Sequence, residues 1–374
     1  MATENNNKTL NVPNLRFPEF SGEWTKTLLN NYLEENKERN KRGIFTKNHV
    51  LSVSGDFGIV NQIELLGRSF AGKSVLDYHV VRTGNIVYTK SPLKEYPYGI
   101  VKVNGGVDGI VSTLYAVYKV KETANGKFVE YYFGLPNRTN RYFKPIVRIG
   151  AKHDMKIGND EVLANYVVFP CVDEQKRISD FICLLDERIA TQIKIIEKLE
   201  SLIKGLYERL FNIDGAAYIQ LGNVVKIQKG QQINGEELSE IGSYYVMNGG
   251  VVPSGYLEDF NTPANTISIS EGGNSCGYVQ YNGVPFWSGG HCYTLIEPIN
   301  SFNYKYLFHY LKFKEQSIMA LRIGSGLPNI QKKDLERFPI LNVSKEEQDK
   351  MACIFDDILD RIICERQIAL KYEE

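Results

Sequence analysis

No run of eighteen apolar residues occurs in the 374-residue chain, which leaves no candidate for a membrane-spanning helix. The start, residues 1–10, is polar and rich in asparagine. It lacks the basic-then-apolar order of a secretory signal, so the expected compartment is the cytoplasm. Cysteine is scarce. Cys171, Cys183, Cys276, Cys292, Cys353 and Cys364 form no CxxC pair and have no histidine pair at ligand spacing nearby. A zinc site is therefore not expected, and each reads as a buried small hydrophobe. Catalytic signatures are missing too. There is no Gly-x-Ser-x-Gly elbow, no HExxH and no Asn/Asp-Pro-Pro-aromatic segment of an adenine methyltransferase. His49, His79, His153, His291 and His309 are scattered and read as structural.

Net charge is also absent, with 44 basic against 44 acidic residues, but its distribution is uneven. Residues 1–172 carry 23 Lys and Arg against 16 Asp and Glu. That segment could face phosphates unaided; the rest of the chain would need a local patch. With 43% hydrophobic and 24% charged residues, the composition is that of a globular protein.

What the chain does have is an internal repeat with a period near 173 residues. Glu174-Gln175-Lys176-Arg177-Ile178 recurs as Glu347-Gln348-Asp349-Lys350-Met351, and Arg188-Ile189 as Arg361-Ile362. Arg148-Ile149-Gly150 recurs as Arg322-Ile323-Gly324, and Phe169-Pro170 as Phe338-Pro339. Each half reads as a long α/β segment, a Phe-Pro turn and a helix. Ile182, Ile189, Ile196, Ile203 and Leu210 stand seven apart, with Leu185, Leu199 and Leu206 between them and Gln192 as the one exception. This is an apolar seam of coiled-coil period. The second copy keeps the phase through Phe355, Ile358, Ile362, Ala369 and Tyr372, with Glu365 where Gln192 stood. Two helices in one phase are expected to pack against each other, antiparallel, with Ile189, Ile196 and Leu199 facing Ile362, Ile358 and Phe355. Between the helices, segments such as Ile86–Thr89, Gly109–Tyr118 and Thr266–Ser270 read as strands broken by Gly, Asn and Pro.

Residues Gly67–Ser74 match the P-loop pattern formally. A phosphate cradle needs a strand before it and a helix after it. The residues that follow form a β-like run ending at Gly84, so Arg68 and Lys73 are better assigned to DNA backbone phosphates. Other basic or amide-bearing loops are Lys37, Arg39, Lys41 and Arg42; Lys90 and Lys94 around Pro92; Lys226, Lys229, Gln231 and Gln232 around Gly230; Asn274 at a glycine-rich tip; and Arg322. Arg and Lys suit guanine edges and phosphates, while Asn and Gln suit adenine edges.

Together, Leu15-Arg-Phe-Pro-Glu-Phe-Ser-Gly-Glu-Trp24, the Phe169-Pro-Cys-Val-Asp-Glu-Gln175 block with its repeat, and the second start at Tyr218–Gly230 resemble the specificity subunits of type I restriction-modification systems. The resemblance covers essentially the whole chain. It implies an α/β (α+β) protein with two target-recognition domains, residues 1–172 and 212–345. They would be separated by two long antiparallel coiled-coil helices, 173–211 and 346–374, in a pseudo-twofold internal repeat. It implies a non-catalytic chain that reads a bipartite, asymmetric site on double-stranded DNA. Two modification subunits would supply S-adenosylmethionine and methyl transfer; restriction subunits would supply ATP- and Mg-dependent translocation and cleavage. A central helix of roughly 39 residues spans about 58 Å, or about 17 base pairs, as an upper bound on half-site separation. The distal helix is short relative to the first, as a natural variant or a cut terminus. A P-loop hydrolase and a protein-binding coiled-coil scaffold are the competing readings. Expected helix-packing residues are Ile182, Leu185, Ile189, Ile196, Leu199, Phe355, Ile358 and Ile362.

Overall fold

The computed structural model describes residues 12–72, 74–92, 96–149, 155–324, 326 and 328–373. The chain divides into two compact units, Met1–Glu187 and Arg188–Glu374.

In the first unit, Thr25–Leu28 (β1) pairs antiparallel with Tyr166–Phe169 (β12) at the base. A turn then feeds Leu33–Glu35 (β2), the edge of a four-stranded antiparallel sheet. Next to it lie Tyr115–Val120 (β9), Ile86–Thr89 (β6) and Val101–Val103 (β7), in that order. Alternation along the two central strands decides the packing. Ile86, Tyr88, Ala116 and Tyr118 bury one face against Gly126–Gly134 (α2) and Pro136–Phe143 (α3). There the Tyr88 ring stacks on Phe143 at 4.5 Å. Val87 and Val117 bury the other face against Leu51–Ser54 (β3), His79–Val81 (β5) and Gly109–Val111 (β8). With both faces covered, Ile86–Thr89 is buried throughout rather than alternating. Gly58–Asn61 (β4), Gln62–Leu66 (α1), and the short pair Arg148–Ile149 (β10) and Met155–Lys156 (β11) complete the unit.

The second unit repeats this order. Tyr218–Gln220 (β13) pairs with Pro339–Leu341 (β21). Lys226–Lys229 (β14), Cys292–Ile296 (β20), Thr266–Ser270 (β17) and Val279–Asn282 (β18) form the four-stranded sheet. In both sheets the strands lie first, fourth, second, third in chain order. Tyr304–Phe313 (α5) occupies the place of α2 and is followed by Glu315–Met319 (α6) and Lys332–Glu336 (α7). A three-stranded sheet of Tyr256–Leu257 (β16), Tyr244–Met247 (β15) and Trp287–Ser288 (β19) is added.

Each unit is locked to a long helix by the same device. Val172–Phe211 (α4) has 40 residues and Lys345–Glu373 (α8) has 29. Near their starts Gln175 and Gln348 are fully buried. Gln175 Oε1 accepts from Asn125 N at 2.9 Å, and its amide donates to Pro170 O at 3.0 Å. Gln348 Oε1 accepts from Asn303 N at 2.7 Å, and its amide donates to Val343 O at 2.9 Å. Asn125 and Asn303 are the N-caps of α2 and α5. The repeated Glu-Gln of the sequence is thus a clamp between long helix and sheet domain.

Within the second unit, the last turns of α4 run antiparallel to α8. The two polar exceptions in the apolar seams meet: Gln192 donates to the Glu365 carboxylate, both side chains buried. Arg361 ion-pairs with Glu365, and Arg366 with Glu200. Phe355 lies against Tyr207 and Phe211, with ring centres 4.6 and 5.3 Å away. This corrects the expected register, which put Leu199 opposite Phe355. The polar pair holds the helices about a heptad away from it, and a whole-heptad shift preserves the seam. Ile196, Leu199 and Ile358 are half-buried and Ile362 is buried, as is Ile189 in part; Ile182 and Leu185, half-buried, belong to the first unit.

The cysteines also depart from expectation. All six are free thiols, but only Cys276 and Cys292 are buried; Cys171, Cys353 and Cys364 are exposed and Cys183 is intermediate. The exposed three lie at or on the outer faces of the long helices, where no core claims them. No helix among the described residues is long and apolar enough to cross a membrane.

Candidate nucleic-acid interface

Strands β2 and β6 run parallel to one another across β9, so both leave the sheet at the same edge, and the polar loops start there. After β2, two buried asparagines hold the chain. Asn36 donates to Val80 O at 3.1 Å and to Asn85 Oδ1 at 3.2 Å. Asn40 donates to Phe45 O at 2.7 Å and accepts from Phe45 N at 3.0 Å. Lys37, Arg39, Lys41 and Arg42 lie around these anchors, all exposed. Arg39 Nη1 donates to Asp77 O at 2.9 Å, Lys41 pairs with the Asp77 carboxylate, and Lys37 lies 3.9 Å from Glu35. The backbone is fixed while the charged tips face solvent, as a phosphate- or base-contacting loop requires.

Lys90, just after β6, is half-buried. It donates to Asn159 Oδ1, and Asn159 in turn donates to Glu35 Oε1 at 2.7 Å. Burial lowers the Lys90 pKa, with Glu35 opposing. His79, buried beside it, is held at about 4, chiefly by burial and then by Arg39 and Lys90, so it is neutral at physiological pH. Sequence reasoning assigned neither His79 nor Asn159 to this edge; they lie 42 and 122 residues from Lys37, and only the sheet joins them.

Arg68 stands apart with its guanidinium 4.6 Å from the exposed Phe70 ring. Lys73 and Lys94 lie outside the described residues. The formal P-loop match is the reverse of a phosphate cradle. Helix α1 precedes it and ends on the left-handed Gly67, and strand β5 follows it. Among the described residues no helix starts at this loop, which removes the structural basis of the nucleotide-hydrolase reading.

In the second unit the corresponding edge encloses a cleft of about 530 Å³. Lys229 ends β14 and pairs with Glu271 Oε1 at 2.6 Å; Tyr293 Oη reaches the same oxygen at 3.1 Å. Asn248 accepts from His291 N at 3.1 Å. Asn274, Ser275 and Asn329 complete the rim. A Cβ on Gly289 would lie 2.6 Å from Asn248 Oδ1, so only glycine lets this wall close. Lys229 and Asn274 are brought together, and Arg322 lies close enough to act on Cys276, behind the same glycine-rich loop. Gln231 is pinned through its backbone, N donating to Ser288 O and O accepting from Trp287 Nε1, with its side chain exposed. Gln232 folds back onto Ile233 O at 3.3 Å. Lys226 does not join the group: it sits at the other end of β14, paired with Glu297 at 3.1 Å. Sequence reading missed Asn248, Glu271, His291 and Asn329, each contributed by a different segment.

Hydrogen bonds align the two edges residue by residue. Thr89 N donates to Ile100 O and Lys90 N to Leu114 O; Ser270 N donates to Tyr278 O and Glu271 N to His291 O. Lys90 and Glu271 therefore occupy equivalent positions with opposite charge.

The chain thus holds two mixed α/β units of one strand order, each clamped to a long helix and each carrying a different polar edge. Residues 214–372 match the family model described as type I restriction modification DNA specificity domain. The chain is 37% identical over 122 residues to a protein of Mycoplasma pneumoniae described as a type I specificity subunit, and 33% identical over 148 residues to one of Mycoplasma genitalium. These stretches cover 32% and 38% of this chain and the same shares of the relatives. The crystal structure of a type I restriction-modification S subunit from M. genitalium superposes with a TM-score of 0.65 at 17% identity, covering 94% of this chain and 93% of that one. The second half of the chain thus resembles the type I DNA specificity domain, and the chain shares its fold with the M. genitalium S subunit.

Proposed function

We propose that the chain is a non-catalytic DNA-recognition subunit acting in the cytoplasm. Each polar edge reads one half of a bipartite, asymmetric site on double-stranded DNA, and the chain directs modification and restriction subunits to that site. The observation that carries this reading is the pairing of one repeated frame with two dissimilar edges, Lys37–Arg42 with Lys90 on one and Lys229, Glu271 and Asn274 on the other. A protein that must recognise two unlike half-sites needs this combination. Cations contact phosphates and guanine, amides contact adenine, and a carboxylate accepts from the cytosine amino group. S-adenosylmethionine, ATP and Mg belong to the partner subunits in this scheme.

The test is methylome sequencing of a host that carries this chain and its modification subunit. Replacing residues 1–150 with the matching segment of a relative is expected to change one half of the methylated motif and leave the other. A change in both halves overturns the two-reader scheme, and methyl transfer by the pure chain alone overturns the non-catalytic assignment.

A further inference from the structure

A second cleft of about 530 Å³ lies at the base of the first unit, beside the β1–β12 pair. The reading loops leave the other ends of the strands, so it is separate from them. Lys26, Arg138 and Arg141 line it together with Trp24, Tyr132 and Tyr166. Some cations of this unit are paired with carboxylates, such as Arg16 with Glu174, Arg82 with Glu38 and Asp108, and Lys102 with Glu130. These three are not. No carboxylate lines the cleft among the described residues, and none of the three makes an ion pair there. Aromatic rings hold two of them in place instead. Arg138 lies 4.9 Å from the centre of the Tyr132 ring, and Lys26 lies 5.3 Å from that of Tyr166. A cation over a ring is positioned without being neutralised, and its N–H groups stay free.

We propose that this cleft is a nucleotide-binding site, in which Lys26, Arg138 and Arg141 take the phosphates and an aromatic wall takes the base. Charge selects the anion: three uncompensated cations favour a multiply charged group over a single carboxylate. The rings select the rest of the ligand, because Tyr166 is 57% exposed and Trp24 half-exposed, leaving faces on which a planar base can stack. The volume lies within the usual range for small-ligand pockets. The same chemistry is offered by a free nucleoside polyphosphate and by a nucleotide of a single strand.

Calorimetric titration of the full chain with ATP, with a short oligothymidylate, with inorganic tripolyphosphate and with polyglutamate tests this. Saturable binding of ATP marks a free nucleotide as the ligand; binding of the oligothymidylate alone marks a strand. In either case R138Q/R141Q is expected to bind on the order of tenfold or more weakly. In a W287F background, Trp24 emission should change with the nucleotide and not with tripolyphosphate. Arg138 and Arg141 are both exposed, so R138Q/R141Q should melt with the background in which it is made; Tyr166→Ala provides a second, uncharged disruption. Methylation of the duplex target should be unaffected, which separates this site from the reading edges. Absence of nucleotide binding, equal binding by the variants, or tighter binding of polyglutamate than of any phosphate ligand overturns the proposal.

Discussion

In the first unit the residue that follows the central strand is Lys90, tied through Asn159 to Glu35; in the second it is Glu271, tied to Lys229. The strands that deliver them have the same order, and the glutamines that hold each sheet to its helix make the same hydrogen bonds. The frame is constrained by backbone groups that must be satisfied in a dry interior. The residues at the two edges differ in kind: half-buried Lys90 is tied to Asn159, and buried Glu271 to Lys229 and Tyr293. The two units therefore share the contacts that hold sheet to helix and differ in the polar networks at the ends of the same strands.

The comparison can be broken from the core outward. Phe355→Ala removes a ring packed on Tyr207 and Phe211 and should destabilise the second unit by about 3–5 kcal/mol. The matching Ile182→Ala, at a half-buried position, should cost the first unit about 1–2 kcal/mol. Denaturant unfolding followed by hydrogen exchange in each unit measures both. Equal losses would mean that the helices support the units alike.

Acid offers the next contrast. His79 has a folded pKa of about 4 against an ordinary 6.5. Its neutral form is favoured in the fold, so the contribution is fully present above about 6.5 and is lost as pH falls toward 4. At about 1.4 kcal/mol per unit this is on the order of 3 kcal/mol. His309 in the second unit is also lowered by burial, but Asp356 at 2.9 Å opposes that shift. The first unit should lose exchange protection earlier on acidification, and His79→Leu should flatten its pH dependence. An unchanged profile in that variant would show that His79 is not the acid-sensitive group.

Gln175→Ala and Gln348→Ala each strand a half-buried N-cap amide and should cost about 1–3 kcal/mol. Similar losses are expected in both units; a loss in one alone would mean that the clamp is a local accident. The double variant Gln192→Leu, Glu365→Leu should change stability by less than about 1 kcal/mol, because a well-packed apolar pair replaces the polar one. The helix register should loosen, which cross-linking between α4 and α8 would detect. A large loss would mean that the polar pair itself stabilises the helices.

Much of this frame was legible in the chain. Heptads marked both helices, and the repeated Glu-Gln marked their starts, but not that the glutamines clamp helix to sheet domain, because their partners lie 50 and 45 residues away. The register was not legible, because a seam of period seven fits several whole-heptad shifts and only the Gln192–Glu365 contact selects one. The edges were legible in part. Lys37–Arg42 is contiguous, so composition revealed it. The cleft of the second unit gathers Lys229, Asn248, Glu271, His291 and Asn329 from five segments, and no local pattern announces such a set. Lys226 and Lys229 looked alike in sequence, but a strand carried them to opposite ends.

Asn36 and Asn40 give the first edge a further property. Replacing an exposed cation between or beside them, such as Lys37 or Arg42, should shift stability by no more than about 0.5 kcal/mol, whereas losing either anchor leaves buried amides without partners. Variation at this loop is therefore cheap at some positions and prohibitive at others only a residue away. Under the proposed function, a lineage could exchange one target sequence for another through single substitutions at the tolerant positions, each intermediate folding as well as its parent, so that protein stability would not limit how fast it changes what it reads.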